Sequence, residues 1–467
     1  EQLHRIGEFP NHSTMKQRAV FLFYHGLSHV IAVLEIARLL QRSGYDVYFA
    51  GAEFFQHYII AQGFKFKKLT SVPFGLGFES WVRTVEKGKN IYLSALRDRI
   101  TDRLYNDRRV DLYWMLEELN PSVVFIDSRQ ATDFIVLYRY LKERLINVAI
   151  HHAMLPATAD AFHPPLNSEV FPDDPAALKN AINGMKWKSF KNSLMKKLLY
   201  CGFDDLFLIN RRLKKNGVPA HYVSKDPSLL KFTLRNVDEF ILAPREFDFP
   251  APRQSQHQHF IGFMTNQHYD TETRSKYTEV WPRILDVKQT HQAPLIFCSF
   301  GTITPGDTGI LSSFIKKLIQ ASAKEGHLLV IAAKGIPKEV ATLAANDRVY
   351  IFDFVPQLQV LMHADVFITH GGLNSIREGV HAEVPMLLYP IHSEYDPIGN
   401  AARIVYHKLG LRGSAYSDTA LEIANKVKEV LSNPVYKANV QKLKRQDAIY
   451  SGDNFLRILS VIKPLSK

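Results

Sequence analysis

Two histidines, His25 and His29, stand between the apolar run Ala19 to Tyr24 and the amphipathic segment Val30 to Ser43. In a doubly wound sheet that junction is the carboxyl edge of a strand, where ligands bind. An imidazole there can act as general base towards a hydroxyl nucleophile. Such a base needs a carboxylate that orients the ring and steadies the imidazolium. Asp127 ends the apolar run that begins at Ser122 and so lies at another carboxyl edge, although it could equally cap the helix that follows. Nineteen histidines are too many to be diagnostic, so position alone separates these two. A second cluster lies far along the chain. Ile368-Thr369-His370-Gly371-Gly372 reads as a strand running into a glycine turn, after which Asn374 and Ser375 open a helix with Glu378 in its first turn. Glycines let backbone approach a ligand, and a helix N-terminus favours an anion, so the group suits a diphosphate. Read alone, it is also a capped tight turn.

The wider stretch from Phe354 to Asn400 carries more. It resembles the donor-binding signature of the UDP-dependent glycosyltransferases of the plant and antibiotic-tailoring type, glycosyltransferase family 1, which have the GT-B fold. Phe354-Val355-Pro356-Gln357 matches the opening Trp-Ala-Pro-Gln, which implies Phe354 stacked on uracil and Gln357 reaching the uridine. The resemblance further implies His370, Gly372, Asn374 and Ser375 at the diphosphate and Glu378 on the ribose hydroxyls, with Val384-Pro385 and Asn400-Ala401 following in order. The family's sugar-binding Asp-Gln pair falls on Asp396 and Pro397, so Asp396 keeps the acceptor role while proline offers no side-chain partner; Glu394 competes for the same role. Upstream, Ser299-Phe300-Gly301-Thr302 looks like the family's small-residue loop beside the phosphates, implicating Ser299, Gly301 and Thr302. In the first half, His29-Val30-Ile31-Ala32 with Leu34-Glu35-Ile36-Ala37 follows the family's Gly-His-x-x-Pro element, with Ser28 for glycine and Ala32 for proline. That favours His29 over His25 as the base and makes Asp127 its activating partner.

These groups must be carried by a fold that brings them together. Apolar runs alternate with helix-period segments, the pattern of parallel strands joined by crossover helices. Strands are expected near Ala19, Val47, Ser122 and Asn147, and again near Pro294, His327, Val349, Val366 and Val384. The expected fold class is α/β, with two Rossmann-like doubly wound domains facing each other across a cleft. The N-terminal, acceptor-binding domain spans 15–245 with a helical insertion at about 156–238, and the Pro- and Gln-rich segment at 246–258 reads as a linker. A UDP-sugar-binding domain covers 259–440, and helices at 441–467 are expected to pack back on the N-terminal domain. Residues 1–14 lack periodicity and read as an added leader before a start at Met15.

Composition narrows the function classes. The chain has 467 residues, is 46% hydrophobic and 22% charged, and carries a formal charge of +12, which is ordinary globular composition. Only Cys201 and Cys298 are present, which excludes a disulfide framework and a cysteine-based metal site. No apolar stretch is long enough to span a bilayer. No Asp-x-Asp occurs, the motif with which metal-dependent glycosyltransferases of the other major fold hold Mg²⁺ or Mn²⁺, in agreement with metal-free transfer; no cofactor is expected. The charge is concentrated in Lys186 to Lys215, with nine Lys and Arg against two acidic residues. Trp187, Phe190, Leu194 and Leu198 recur there at helical spacing, the mark of a basic amphipathic helix. It either packs its apolar stripe on its own domain or lies at an anionic membrane surface; no nucleic-acid module is present. Acceptor contacts are expected from Phe74 and Phe78 and from His152 and Met154, in apolar loops after strands. The expected activity is inverting transfer of a sugar, glucose by preference, from a UDP-sugar to a hydroxyl of a hydrophobic small molecule such as a phenol, terpenoid or polyketide, in the cytoplasm or peripherally at a membrane. Alternatives are a lipid glycosyltransferase at the membrane face, a UDP-sugar epimerase and a catalytically silent relative.

Overall fold

The computed structural model describes residues 16–86, 90–157, 162–224, 232–251, 255–265, 276–301, 308–337, 340, 342–344, 347–391, 395–450 and 452–465. The first half holds β1 (Arg18–Leu22), α1 (Leu27–Arg42), β2 (Asp46–Gly51), α2 (Gln56–Ala61) and β3 (Lys65–Lys68). Three helices follow: α3 (Phe78–Val85), α4 (Ile91–Thr101) and α5 (Arg103–Leu119). Then come β4 (Val123–Asp127), α6 (Thr132–Arg144), β5 (Asn147–His152), α7 (Pro175–Leu199), α8 (Asp205–Asn216), β6 (Glu239–Ile241) and β7 (Gln258–Phe260). The second half runs α9 (Lys276–His291), β8 (Leu295–Ser299), α10 (Thr308–Glu325), β9 (Leu328–Ala332), β10 (Val349–Phe352) and α11 (Gln357–Leu361). It continues through β11 (Val366–Thr369), α12 (Leu373–His381), β12 (Met386–Leu388), α13 (Pro397–Tyr406) and β13 (Gly410–Arg412). Three helices close the chain: α14 (Ala420–Ser432), α15 (Pro434–Asp447) and α16 (Gly452–Val461).

The strands form two wholly parallel sheets, β3-β2-β1-β4-β5-β6-β7 and β10-β9-β8-β11-β12-β13. Strands covered by helices on both faces must be apolar throughout. That is why β4 and β8 are buried at every residue. In each sheet the strand order reverses once, between β1 and β4 and between β8 and β11, and such a switch point opens a crevice at the carboxyl edge. Each switch point is backed by a stacked ring pair in register. Phe21 and Phe125 lie 4.6 Å apart, and Phe297 and Phe367 lie 5.3 Å apart.

The elements that the hydrophobic pattern does not reveal are lysine-rich or very short. Strand β3 reads Lys-Phe-Lys-Lys, and β6 and β7 are three residues each. Residues 258–260, read from sequence as the end of a linker and the start of the second domain, pair with β6 as the last strand of the first sheet. The chain therefore crosses to the second sheet only after Phe260. The insertion between β5 and β6 is built around α7 and α8.

After α15 the chain returns to the first domain. Phe455 of α16 is fully buried against Phe125 and Phe240, with ring centroids 6.4 and 5.0 Å away, and Leu459 and Ile462 join the same core around α1. Among the described residues no helix is long and apolar enough to cross a membrane. Replacing Phe455 by Ala removes this anchor and leaves a cavity, so we expect a loss of about 3–5 kcal/mol. It should appear as a lower urea midpoint for the unfolding of the N-terminal domain.

Candidate active site

The switch point between β1 and β4 sets the first half of the site. Leu22 and Ile126 are register partners, so the turn leaving β1 and the end of β4 open side by side. His29, in the first turn of α1, hydrogen-bonds through Nδ1 to Asp127 Oδ2 at 2.7 Å. Asp127 is fully buried, and His29 is 9% exposed, so the ring keeps only an edge towards the cleft. The two readings of Asp127 both hold: its Oδ1 accepts the backbone N–H of Arg129 at 2.8 Å and caps the turn at Ser128–Gln130, while Oδ2 takes the histidine. His151 Nε2 lies 3.4 Å from the same oxygen. Burial alone would raise the carboxyl, but His29 and His151 hold it well below the ordinary aspartate range. A carboxylate that stays charged fixes Nδ1 as the donor, which leaves Nε2 as the basic nitrogen.

His25 has a different environment. It stacks on Trp81 with ring centroids 5.6 Å apart and lies 6.0 Å from Phe78. Burial, followed by the charge of Arg108, pushes it down to about 4. Tyr24 extends this wall and reaches His29, 5.1 Å between centroids. Tyr24, His25, Phe78 and Trp81 thus form an aromatic flank beside the His29–Asp127 pair.

The second switch point carries the other half. Ser299, at the end of β8, is register partner to Thr369, which precedes His370. Gly301 has φ of +63°, and a Cβ there would stand 3.2 Å from His370 Cε1. A Cβ at Gly372 would stand 2.7 Å from His370 Nε2, so both glycines are needed to seat the ring. Gln357 Nε2 donates to Glu378 Oε2 at 2.7 Å and approaches Ser375 Oγ at 3.5 Å, which draws α11 and α12 into one polar cluster. Phe354 stands 52% exposed on the loop before α11. Asp396 immediately precedes α13, where Pro397 occupies the first turn and its missing N–H costs nothing. Asn400 Nδ2 donates to Asp396 Oδ2 and to Gly371 O, both at 2.8 Å. Burial raises the Asp396 carboxyl, opposed by Asn400 and by the charges of His29 and Arg129. Asp396 therefore feels His29 electrostatically across the cleft. Thr302 and Glu394 lie outside the described residues.

Several placements were not readable beforehand. Asn374 does not simply face the glycine turn. Its Nδ2 donates to Ser28 O at 2.8 Å, in the turn next to His29, and its Oδ1 accepts from Arg377 Nη2 at 2.6 Å. Arg377, which sequence reasoning missed, is almost wholly buried and also donates to Ala32 O and Met264 O, each at 3.2 Å. Burial pushes it down to about 10. Arg129 was missed as well. Its guanidinium lies over Tyr24 at 4.8 Å and Tyr395 at 5.3 Å, one ring from each domain, and its adjacency to Asp127 is the one sequence signal that could have found it. Of the acceptor candidates, Phe78 joins the aromatic flank, whereas Phe74 is buried against Tyr105, Met154 is buried in the core shared with the second sheet, and His152 bonds Glu239 at 3.1 Å.

Residues 244–448 match the family model described as UDP-glucoronosyl and UDP-glucosyl transferase. The chain is 26% identical over 199 residues to zeaxanthin glucosyltransferase of Pantoea ananas, covering 42% of each chain. It is 24% identical over 375 residues to UDP-glucuronosyltransferase 3A1 of Homo sapiens, covering 78% of this chain and 66% of that one. Both matches thus span less than two thirds of the relative's length. Among solved structures, the glycotransferase of kitacinnamycin superposes with a TM-score of 0.63 at 16% identity, over 96% of this chain and all of the other. The architecture is the GT-B fold of such enzymes.

The charge state of Asp127 has a testable sign. A carboxyl lowered in the folded state contributes stability above its unfolded value, about 3.9, and that contribution is lost as pH falls towards the folded value. The stability gap between the parent protein and Asp127→Asn should be largest near neutrality and narrow below about pH 4. Urea melts across this range would reveal an uncharged Asp127 if the gap stayed constant.

Proposed function

We propose that the chain, whose residues 244–448 match the UDP-glucuronosyl and UDP-glucosyl transferase family, transfers a sugar from a UDP-sugar to a hydroxyl of a hydrophobic small molecule. The observation that carries this reading is the 2.7 Å His29–Asp127 pair in electrostatic reach of Asp396. A relative named as a glucosyltransferase supports glucose as the sugar, and the aromatic flank of Tyr24, Phe78 and Trp81 supports an apolar acceptor.

In the proposed reaction Phe354 stacks on uracil, the Gln357–Glu378 pair holds the ribose, and Asp396 accepts hydrogen bonds from the sugar. Acceptor hydroxyl hydrogen passes to His29 Nε2, and Asp127 steadies the imidazolium so formed. The acceptor oxygen bonds to the anomeric carbon from the face opposite UDP, the bond from that carbon to the phosphate oxygen breaks, and configuration inverts. Negative charge on departing UDP meets His370 and the backbone N–H groups at the start of α12.

Loss of a positioned general base costs roughly 10²–10⁴-fold in rate. His29→Ala should therefore lose turnover on that scale while binding UDP as the parent does, measured by UDP release and by calorimetry. Unchanged turnover would overturn the base assignment. UDP release from a panel of UDP-sugars should require an acceptor; sugar interconversion without one would instead identify an epimerase. Turnover in EDTA should equal turnover with added Mg²⁺, the outcome required if the leaving-group charge is met by the protein alone.

A further inference from the structure

Helix α7 is 25 residues long, and Leu178 is the one buried residue in it. Trp187, Phe190, Leu194 and Leu198 follow at steps of three, four and four, which aligns them on one face. All four are open to solvent, Trp187 at 67% and Leu198 at 71%, and Met195 and Leu199 widen the strip. The stripe therefore does not pack on its own domain. The helix contains six lysines and no acidic residue. Lys196 is tied to Asp205 at 2.9 Å, while Lys186, Lys188, Lys191 and Lys197 are exposed beside or within the stripe.

A contiguous apolar strip of this kind marks an interaction surface. Its charge selects the occupant. A second copy of the same face would set lysines against lysines, with no acid to pair them. An anionic bilayer matches both features at once: Trp, Phe and Leu enter the boundary between headgroups and acyl chains, while lysine stems lie along it with their ammonium groups at the phosphates. We propose that α7 seats the protein on an anionic membrane surface, the chemistry of a cytoplasmic leaflet, as a peripheral contact.

The anchoring of α7 gives the contact a use. Tyr200, which follows α7, bonds Ser80 Oγ of α3 through its hydroxyl at 2.6 Å, and Arg99 stacks on the Tyr200 ring at 4.2 Å. Helix α3 also carries Phe78 and the half-exposed Trp81. Docking through α7 would hold the aromatic flank next to the bilayer, where a hydrophobic acceptor concentrates; this consequence alone rests on the proposed transferase reading.

The test is flotation of the full chain with vesicles of phosphatidylcholine, or of equal parts phosphatidylcholine and phosphatidylglycerol. The protein should float with the anionic vesicles only, and less so as salt rises. The triple change Lys186→Gln, Lys188→Gln and Lys191→Gln should weaken binding by about five-fold per lysine, on the order of a hundred-fold together. Trp187→Ser with Phe190→Ser should weaken it by about ten-fold or more. UDP binding, measured in parallel, should be unchanged in both variants because these side chains are exposed and belong to the other half of the chain from the proposed UDP contacts. Parent protein that ignores anionic vesicles, variants that float like the parent, or a parent dimer that Trp187→Ser dissociates would each overturn the proposal. None of these readouts involves sugar transfer, so failure here is distinct from failure of the transferase assignment.

Discussion

The cleft depends on one buried guanidinium. Arg377, on α12 of the second half-site, donates hydrogen bonds to Ala32 O on the helix that carries His29, to Met264 O just past the first sheet, and to Asn374 Oδ1. Removing such a cation from water costs several kcal/mol unless its donors are met. Three oxygens, two of them backbone, meet donors on Nη1 and Nη2, buried Nε has no hydrogen-bond partner, and Glu378 and Asp447 add opposite charge. That fixes the docking of α12 on α1, and Asn374 completes the seam one residue from His29. Distances between the two half-sites are thus set by a contact that itself performs no chemistry.

Around His29 the electrostatics are asymmetric. Asp127 behind it is kept ionised by two imidazoles, whereas burial shifts Asp396 across the cleft towards its protonated form. Two carboxyl groups of one type are driven apart by surroundings, the usual means of giving them separate tasks. The same logic divides the histidines. His25 stands only four residues from His29, yet it is pressed against Trp81 and kept uncharged, while His29 has a carboxylate at its back.

Much of this was legible in the sequence where local pattern and chemistry coincide. Apolar runs marked β1, β4, β8 and β11, the strands that create the switch points, because strands buried on both faces cannot be disguised. Asp127 and His370 stood out by their places at the ends of apolar runs, and His29 by its place after β1 together with the family resemblance. What stayed hidden was whatever depends on a partner far along the chain. Strand β3 is lysine-rich and β7 spans three residues, so only neighbouring strands define them. The tie of Asn374 to Ser28 was not visible because it spans 346 positions. Arg377 went unnoticed for the same reason, since its partners Ala32 and Met264 lie 345 and 113 positions away. The apolar stripe of α7 had two readings in the sequence, and only burial shows that it does not pack on its own domain.

The path of the chain has a mechanical consequence. It leaves the first domain after β7 and comes back before α16, whose Phe455 is driven into that domain's core. Two covalent crossings join the halves rather than one. A single tether allows swivel as well as bend, but a pair behaves like the two leaves of a hinge: rocking about the line between the crossings is soft, and torsion is stiff. Any relative motion of the two halves is thereby steered along one arc, which keeps Asp396 on the same side of His29.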